Sequence, residues 1–232
     1  MFERSYLVLK ESQIEELKNK KVMVCGVGGV GGYVVESLAR AGIGHLVIVD
    51  YDVVDISNKN RQIIALDSTL KQDKTKVMAE RLKDINADIE VEIINEKLSS
   101  ENIPIILDEG LDYVVDAIDQ VSAKIALIEH CKHNETPIIS SMGTGNKLDP
   151  RLLEITDIYK TDTDPLARIM RKELKNRNIA ELEVVFSREK SIRNSDAYNL
   201  IEDKRKPGSL PFVPASAGIL IAYRVVMNIL RL

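Results

Sequence analysis

Residues 21–62 read KVMVCGVGGVGGYVVESLARAGIGHLVIVDYDVVDISNKNRQ, and this stretch decides the fold. An apolar strand over 21–25 runs into a glycine cluster, Gly26, Gly28, Gly29, Gly31 and Gly32. A helix follows over about 29–41 and stops at Gly42 and Gly44, because glycine tolerates the backbone of a helix end. A second apolar strand, 46–50, closes on Asp50. Strand, glycine turn, helix, strand and acid in this order form a nucleotide-binding βαβ unit. The glycines let the chain turn tightly and let a phosphate approach the amides at the helix start. Asp50 stands where a carboxylate accepts hydrogen bonds from ribose hydroxyls.

Outward from this unit, helices and strands alternate. The N-terminal 2–20 reads as an extended lead-in and a short amphipathic helix with Ile14 and Leu17 on one face. A helix over 72–86 places Val77, Leu82 and Ile85 on its buried face, and 89–94 (IEVEII) is a strand. A short helix near 99–108 precedes a strand at 113–116. A helix over 122–134 follows, with Ala126, Leu127 and Cys131 inward, and then a strand at 137–141. The pattern predicts an α/β, Rossmann-like fold: a mostly parallel sheet with helices on both faces. Such sheets bind ligands beyond the carboxyl ends of their strands. Residues 26–31, Asp50, 116–119 and 141–145 all fall there. Asp116 itself reads as a strand-end or helix-capping acid. The remainder is less regular: a strand over 152–158, a basic helix over 165–178, a strand over 182–187, a polar loop over 188–209 and a final helix from near Ala215. We expect one domain over 1–232, with 1–150 as the nucleotide-binding part and 151–232 as a substrate and dimer part.

Composition excludes several classes. With 44% apolar and 29% charged residues the chain suits a soluble globular protein, and a net charge of −4 leaves any nucleic-acid contact to a local patch. The only two cysteines, Cys25 and Cys131, form no CxxC pair, which excludes a four-cysteine zinc site and a disulfide scaffold. A reducing cytoplasm fits. The apolar end, 210–232, carries Pro211, Pro214, Asn228 and two arginines, and reads as a core-packing helix rather than a membrane span. His45, His130 and His133 have no spacing that suggests a metal site.

The glycine motif and Asp50 fit a nicotinamide dehydrogenase as well as an ATP enzyme. The following loop is more specific. It holds Asp50, Asp52, Asn58, Arg61 and Gln62, and Lys74 comes after it. Cations and amides beside a phosphate site suit phosphoryl chemistry, in which negative charge develops at the α-phosphate. Hydride transfer has no such need. Spacing favours Lys74 over Lys76, and Asp119 is placed to hold a magnesium ion bridging phosphates.

The order GxGGxG, DxD, NxxRQ, Lys and a late Asp resembles the adenylating E1-like superfamily of ThiF, MoeB and HesA proteins. That resemblance implies ATP and Mg²⁺, with Gly26, Gly28, Gly29, Gly31, Asp50, Asp52, Asn58, Arg61, Gln62 and Lys74 binding the nucleotide. It makes Arg61, Lys74 and Asp119 catalytic, with Asp119 on the metal. Arg4 matches loosely an arginine that reaches into the partner's site in a homodimer. Within the superfamily, VDAIDQVSAKIALIEHC, PIISSMGTGNKLDP, ITDIYKTDTDPLARIMRKELK and SLPFVPASAGILIA resemble the tRNA threonylcarbamoyladenosine dehydratase (TcdA/CsdL) branch. The branch uses ATP to dehydrate the threonylcarbamoyl group on adenosine 37 of tRNA to a cyclic oxazolone. Adenylation of the carboxylate makes a leaving group, and the neighbouring carbamoyl oxygen closes the ring with an effective molarity on the order of 10⁵ M or more. Some relatives work with a cysteine desulfurase and sulfur acceptor. The basic residues Arg168, Arg171, Lys172 and Lys175 are then candidates for tRNA phosphates, with Lys204, Arg205 and Lys206 extending the patch. Bacterial relatives often carry a longer, cysteine-containing loop where this chain has 188–209, so substrate engagement there carries over least.

Three other readings stay open at this point. One is an adenylyltransferase acting on the C-terminal Gly-Gly of a ubiquitin-like sulfur carrier, although the paired CxxC sites common in those relatives are absent. The others are a nicotinamide dehydrogenase, which leaves NxxRQ and Lys74 unexplained, and a nucleotide-sensing scaffold.

Overall fold

A computed structural model describes residues 1–107, 110–192 and 207–232. The candidate tRNA-contacting residues Lys204, Arg205 and Lys206, and most of the expected polar loop, lie outside the described residues. Seven strands form one sheet in the order β3-β2-β1-β4-β5-β7-β6. They are β1 (Lys21–Cys25), β2 (His45–Val49), β3 (Glu90–Ile94), β4 (Tyr113–Asp116), β5 (Ile138–Ser141), β6 (Leu153–Asp157) and β7 (Glu183–Ser187). All neighbouring pairs are parallel except β6 with β7. The central strands β1, β2, β4 and β5 are buried on both faces, which is why their sequences are continuous apolar runs. The edge strand β3 carries Glu90 and Glu92 outward, charges that discourage pairing with another chain. They face His45 of β2, 3.6 Å from Glu90 and 3.9 Å from Glu92.

Helices α1 (Glu11–Lys18), α2 (Gly31–Ala41), α3 (Lys74–Ile85), α4 (Ile103–Ile106), α5 (Val121–His133), α6 (Pro165–Asn176) and α7 (Phe212–Leu230) cover both faces. One apolar cluster gathers α1, α2, α3 and α7 on one side, and the other gathers α5 and α6 with the single turn of α4. Several expectations shift. The N-terminal lead-in is a 3-10 turn, Ser5–Leu7, rather than extended chain. Val77 and Leu82 are buried on α3 but Ile85 only half so, and Ala126 is half-buried beside the buried Leu127 and Cys131. The last helix starts at Phe212, ahead of Ala215, because Pro214 is accommodated in its first turn, where a missing N–H costs nothing. By length and hydropathy α7 could cross a membrane. Its Val213, Ala217, Ile221 and Val225 instead pack into the sheet-side core, and a Cβ on Gly218 would stand 2.5 Å from the Val30 carbonyl oxygen, so the helices touch closely there.

The chain leaves β1 for β2 on one side and returns to β4 on the other. A crevice therefore opens between the carboxyl ends of β1 and β4, the switch point at which open α/β sheets bind ligands. Two glycines shape its floor. Gly26 has φ +93°, and a Cβ there would lie 2.7 Å from the Ala117 carbonyl oxygen at the end of β4. A Cβ on Gly31 would lie 1.7 Å from the Gly26 carbonyl oxygen, so only glycine lets α2 begin so close to the turn.

Candidate functional site

A cavity of about 1060 Å³ lies over this crevice. Its lining brings together Gly26, Gly28, Gly29, Asp50, Asp52, Asn58, Arg61, Gln62, Lys74 and Asp119, residues from the three loops after β1, β2 and β4 and from the start of α3. Two residues expected at the nucleotide site are not among them. Gly31 lies beneath the turn, where its contribution is the close packing just described. Arg4 is exposed on the N-terminal turn and does not line the cavity of its own chain.

Asp50 fastens the glycine turn to the end of β2. Its Oδ2 accepts the Val27 N–H at 2.7 Å and its Oδ1 the Asp52 N–H at 2.9 Å. An ionised carboxylate accepts about four hydrogen bonds, so acceptor capacity remains for a ligand. Lys74 opens α3 and is 5% exposed. Its ammonium lies 2.8 Å from Asp52 Oδ2, and its N–H donates to the Asp52 carbonyl at 3.1 Å. Asp52 is thus the partner of Lys74 before it is anything to a ligand. Lys76, the alternative cation, is exposed and outside the cavity.

Arg61 lies across Gly29, where a Cβ would meet its Cγ at 3.4 Å. Its Nη1 donates to the Ser57 carbonyl at 2.8 Å and to Asn60 Oδ1 at 3.0 Å, which leaves the other guanidinium N–H groups for an anion. Asn58 is buried, with Oδ1 accepting the Asp55 N–H. Gln62 is buried beside Gly28, and its Oε1 has no hydrogen-bond partner among the described residues.

Asp119 is exposed at the cavity wall, on the turn after β4. Asp116 holds that turn from below. Its Oδ1 accepts the Ile118 N–H at 3.2 Å, and its Oδ2 accepts from Lys124 at 2.8 Å in an ion pair with both side chains fully buried. This agrees with a strand-end acid, but the Lys124 partner left no signal in the sequence beyond one lysine on an apolar helix. Burial, then the fields of Asp52, Asp119 and Asp50, raises the Tyr51 hydroxyl, so the acids concentrate negative potential at the mouth.

Sequence reasoning missed the far end of the cavity. Lys147 and Asp164, both about 2% exposed, line it with their charged groups 3.9 Å apart. Lys147 Nζ donates to the carbonyls of Ser187 and Glu189 at 3.1 and 2.6 Å. Asp164 caps α6 by accepting the Ala167 N–H at 2.9 Å. Burial pushes the Lys147 ammonium down and the Asp164 carboxyl up, each against the pull of the other. The run Asp164-Pro165 is a helix-start signal that could have located the acid; Lys147 had none.

The basic helix presents three of its four candidate cations to solvent. The Arg171 guanidinium turns inward to the Thr161 carbonyl at 2.8 Å and is half-buried, whereas Arg168, Lys172 and Lys175 are exposed. Both cysteines are buried. Burial raises Cys131 to about 12 and Cys25 well above its ordinary value, so neither supplies a thiolate near neutral pH. Among the described residues no group of three or more His, Cys, Asp or Glu side chains could hold a metal by itself.

The ThiF family model matches residues 2–226. A tRNA threonylcarbamoyladenosine dehydratase of Bacillus subtilis is 41% identical over 241 aligned positions, covering 99% of this chain and 94% of the relative. The Escherichia coli protein of the same name is 39% identical over 72% of this chain and 62% of its own length. A crystal structure of the Escherichia coli enzyme in complex with ATP superposes with a TM-score of 0.91 at 30% identity, over 99% of this chain and 93% of that one. A molybdopterin-synthase adenylyltransferase of Haemophilus influenzae, 36% identical, aligns with 54% of the chain. This chain belongs to the ThiF family and, within it, to the tRNA threonylcarbamoyladenosine dehydratases.

Proposed function

We propose that this chain is an ATP-dependent dehydratase that converts N6-threonylcarbamoyladenosine in tRNA to its cyclic form by activating the threonyl carboxylate as an adenylate. The observation that carries the reading is the cavity: a glycine turn, Arg61, Lys74 and Asp119 line one space that also reaches Lys147. Dehydration needs both an α-phosphate site and room for a second reactant.

In this reading Gly26, Gly28 and Gly29 give the phosphates close access to backbone amides, and Asp50 accepts from the ribose. Asn58 and Gln62 contribute side-chain amides, and the unpartnered Gln62 Oε1 fits a ligand donor. Arg61 and Lys74 face the α-phosphate as a carboxylate oxygen attacks phosphorus and the bond to pyrophosphate breaks. Two preorganised cations there stabilise the developing charge, and losing one costs about 10²–10³-fold in rate. The carbamoyl oxygen then attacks the acyl carbon, the carbon–oxygen bond to AMP breaks, and a ureido nitrogen gives up its proton. The chain supplies no nucleophile, in keeping with its buried cysteines.

The acidic mouth fits Mg²⁺. Asp119 is a cavity carboxylate with no hydrogen-bond or ion-pair partner among the described residues, and magnesium is commonly held by one or two carboxylates plus substrate phosphates. When bound, the ion offsets charge on the phosphates.

The unit we assign is one adenylating domain over 1–232, with 151–232 giving substrate and dimer contacts. Phe212, Ile219 and Tyr223 leave an exposed apolar stripe on one face of α7, which supports a homodimer in which Arg4 acts in the partner's site. Arg168, Lys172 and Lys175 on α6 are offered to tRNA phosphates. A cytoplasmic location, and a cysteine desulfurase with its sulfur acceptor as protein partners, complete this reading. The test is incubation of the protein with ATP, magnesium and modified tRNA, followed by mass spectrometry of the nucleoside. Loss of one water supports the reading. No loss, with adenylation of a Gly-Gly carrier protein instead, replaces it with the sulfur-carrier reaction.

A further inference from the structure

Three chain segments meet at the rim of the cavity, and one side chain joins two of them. Asn60 lies between Lys59 and Arg61 in the loop that carries the phosphate-side residues. Both ends of its amide are used. Oδ1 accepts from Arg61 Nη1 at 3.0 Å, and Nδ2 donates to the Ser209 carbonyl at 2.8 Å. Ser209 follows Gly208, which is clasped to Asn146: the Asn146 N–H donates to the Gly208 carbonyl, and the Gly208 N–H donates to Asn146 Oδ1, each at 2.7 Å. The Asn146 carbonyl accepts the Ile192 N–H at 2.8 Å. The approach is close, since a Cβ on Gly145 would stand 2.7 Å from Pro207 Cβ. A continuous run of hydrogen bonds and covalent links therefore joins Arg61, over the glycine turn, to the loop after β5 that walls the far end of the cavity.

An asparagine amide cannot exchange its two ends without loss. Turning it would set its NH₂ against the guanidinium and its oxygen against the Ser209 carbonyl, two repulsive contacts in place of two hydrogen bonds. The Ser209 carbonyl therefore fixes which end of Asn60 meets Arg61. Of the two acceptors that hold Arg61 Nη1, the other, the Ser57 carbonyl, belongs to the same loop and carries no information from the far end of the cavity. We infer that Asn60 is a positioning residue: it ties the placement of Arg61 to the segment 207–209, so that the phosphate-side cation is set by the substrate-side wall. The inference rests on the reading of the cavity as an ATP-dependent site and assigns to it the residue that links its two halves.

A double-mutant cycle tests this. Wild type, Asn60→Ala, Arg61→Ala and the double variant are compared, together with Asn60→Asp, which keeps an acceptor for Arg61 but presents an oxygen to the Ser209 carbonyl. Turnover of modified tRNA and ATP affinity by titration calorimetry are both measured, and melting temperature checks the fold. In the wild-type background Asn60→Ala lowers kcat about ten- to a hundredfold, the scale of a lost hydrogen bond to a charged group. In the Arg61→Ala background it changes kcat by less than about twofold, because the residue through which it acts is gone. Asn60→Asp falls as far as Asn60→Ala. Equal losses in both backgrounds would overturn the inference, and so would an Asn60→Asp variant with wild-type turnover. Should wild type dehydrate no tRNA, the proposed function fails, and the same cycle read in ATP affinity still decides the role of Asn60. A loss confined to the Arg61 background upholds it, and an equal loss without Arg61 removes it.

Discussion

Replacing Lys124 with methionine isolates the buried ion pair under the site. The ammonium lies 2.8 Å from Asp116 Oδ2, and both side chains are wholly shielded from water. Methionine nearly matches lysine in length, so the variant removes the charge and leaves little cavity. Asp116 then keeps its Ile118 N–H bond but faces apolar surroundings without its counter-ion. Removing one partner of a buried pair costs about 3–5 kcal/mol. For 232 residues, an unfolding entropy of about 2.1 cal/mol/K per residue gives roughly 0.5 kcal/mol/K, and the melting temperature falls by roughly 6–10 °C. The double variant Asp116→Asn, Lys124→Met recovers most of this loss, since asparagine still accepts from Ile118 and no charge is stranded. Scanning calorimetry on the three proteins reads both effects. A single variant within about 1 kcal/mol of wild type, or a double variant no better than the single, would refute the argument that the charge, and not the packing, carries the cost.

Other outcomes follow from the same geometry. Gly31→Ala drives a methyl to within 1.7 Å of the Gly26 carbonyl oxygen, so it should abolish ATP binding in calorimetry or prevent folding, whereas Gly110→Ala, strained at φ +104° but with nothing within 4 Å of its Cβ, should lower the melting temperature and leave binding intact. Burial pushes the Glu36 carboxyl up, but hydrogen bonds from Arg81 and Arg40 bring it below its usual range. The folded form therefore binds fewer protons, and this stability is complete above the ordinary carboxylate range and lost as pH falls through the lowered value. The melting-temperature gap between wild type and Glu36→Gln should be widest near neutrality and narrow as the pH falls below the ordinary carboxylate range. Lys172→Glu with Lys175→Glu should weaken tRNA binding and flatten its salt dependence in filter-binding titrations; an unchanged slope would remove α6 from the interface.

The β1–α2–β2 unit was legible because each step leaves a chemical trace: continuous apolar strands, glycines where the backbone closes on itself, an acid at the strand end. The gathering of Asp50, Arg61, Lys74 and Asp119 into one cavity was likewise readable, since parallel strands deliver their carboxyl ends to a common edge. What remained hidden depends on long-range partners. Lys124 and Lys147 look like ordinary lysines until the fold buries them against Asp116 and Asp164. Arg171 scans as part of a basic face, yet its guanidinium folds inward to Thr161. Asn60 gains its meaning only from Ser209, 149 positions away. Short-range pattern carries strands and turns; pairing across the chain does not show in it.

The central claim is that the cavity transfers AMP to a carboxylate. It is tested most directly with tRNA whose threonylcarbamoyl carboxylate carries ¹⁸O, turned over with ATP and magnesium. Attack of that carboxylate on the α-phosphate followed by ring closure must leave one labelled oxygen in AMP, with none in pyrophosphate. Unlabelled AMP, or label in inorganic phosphate, would contradict the account.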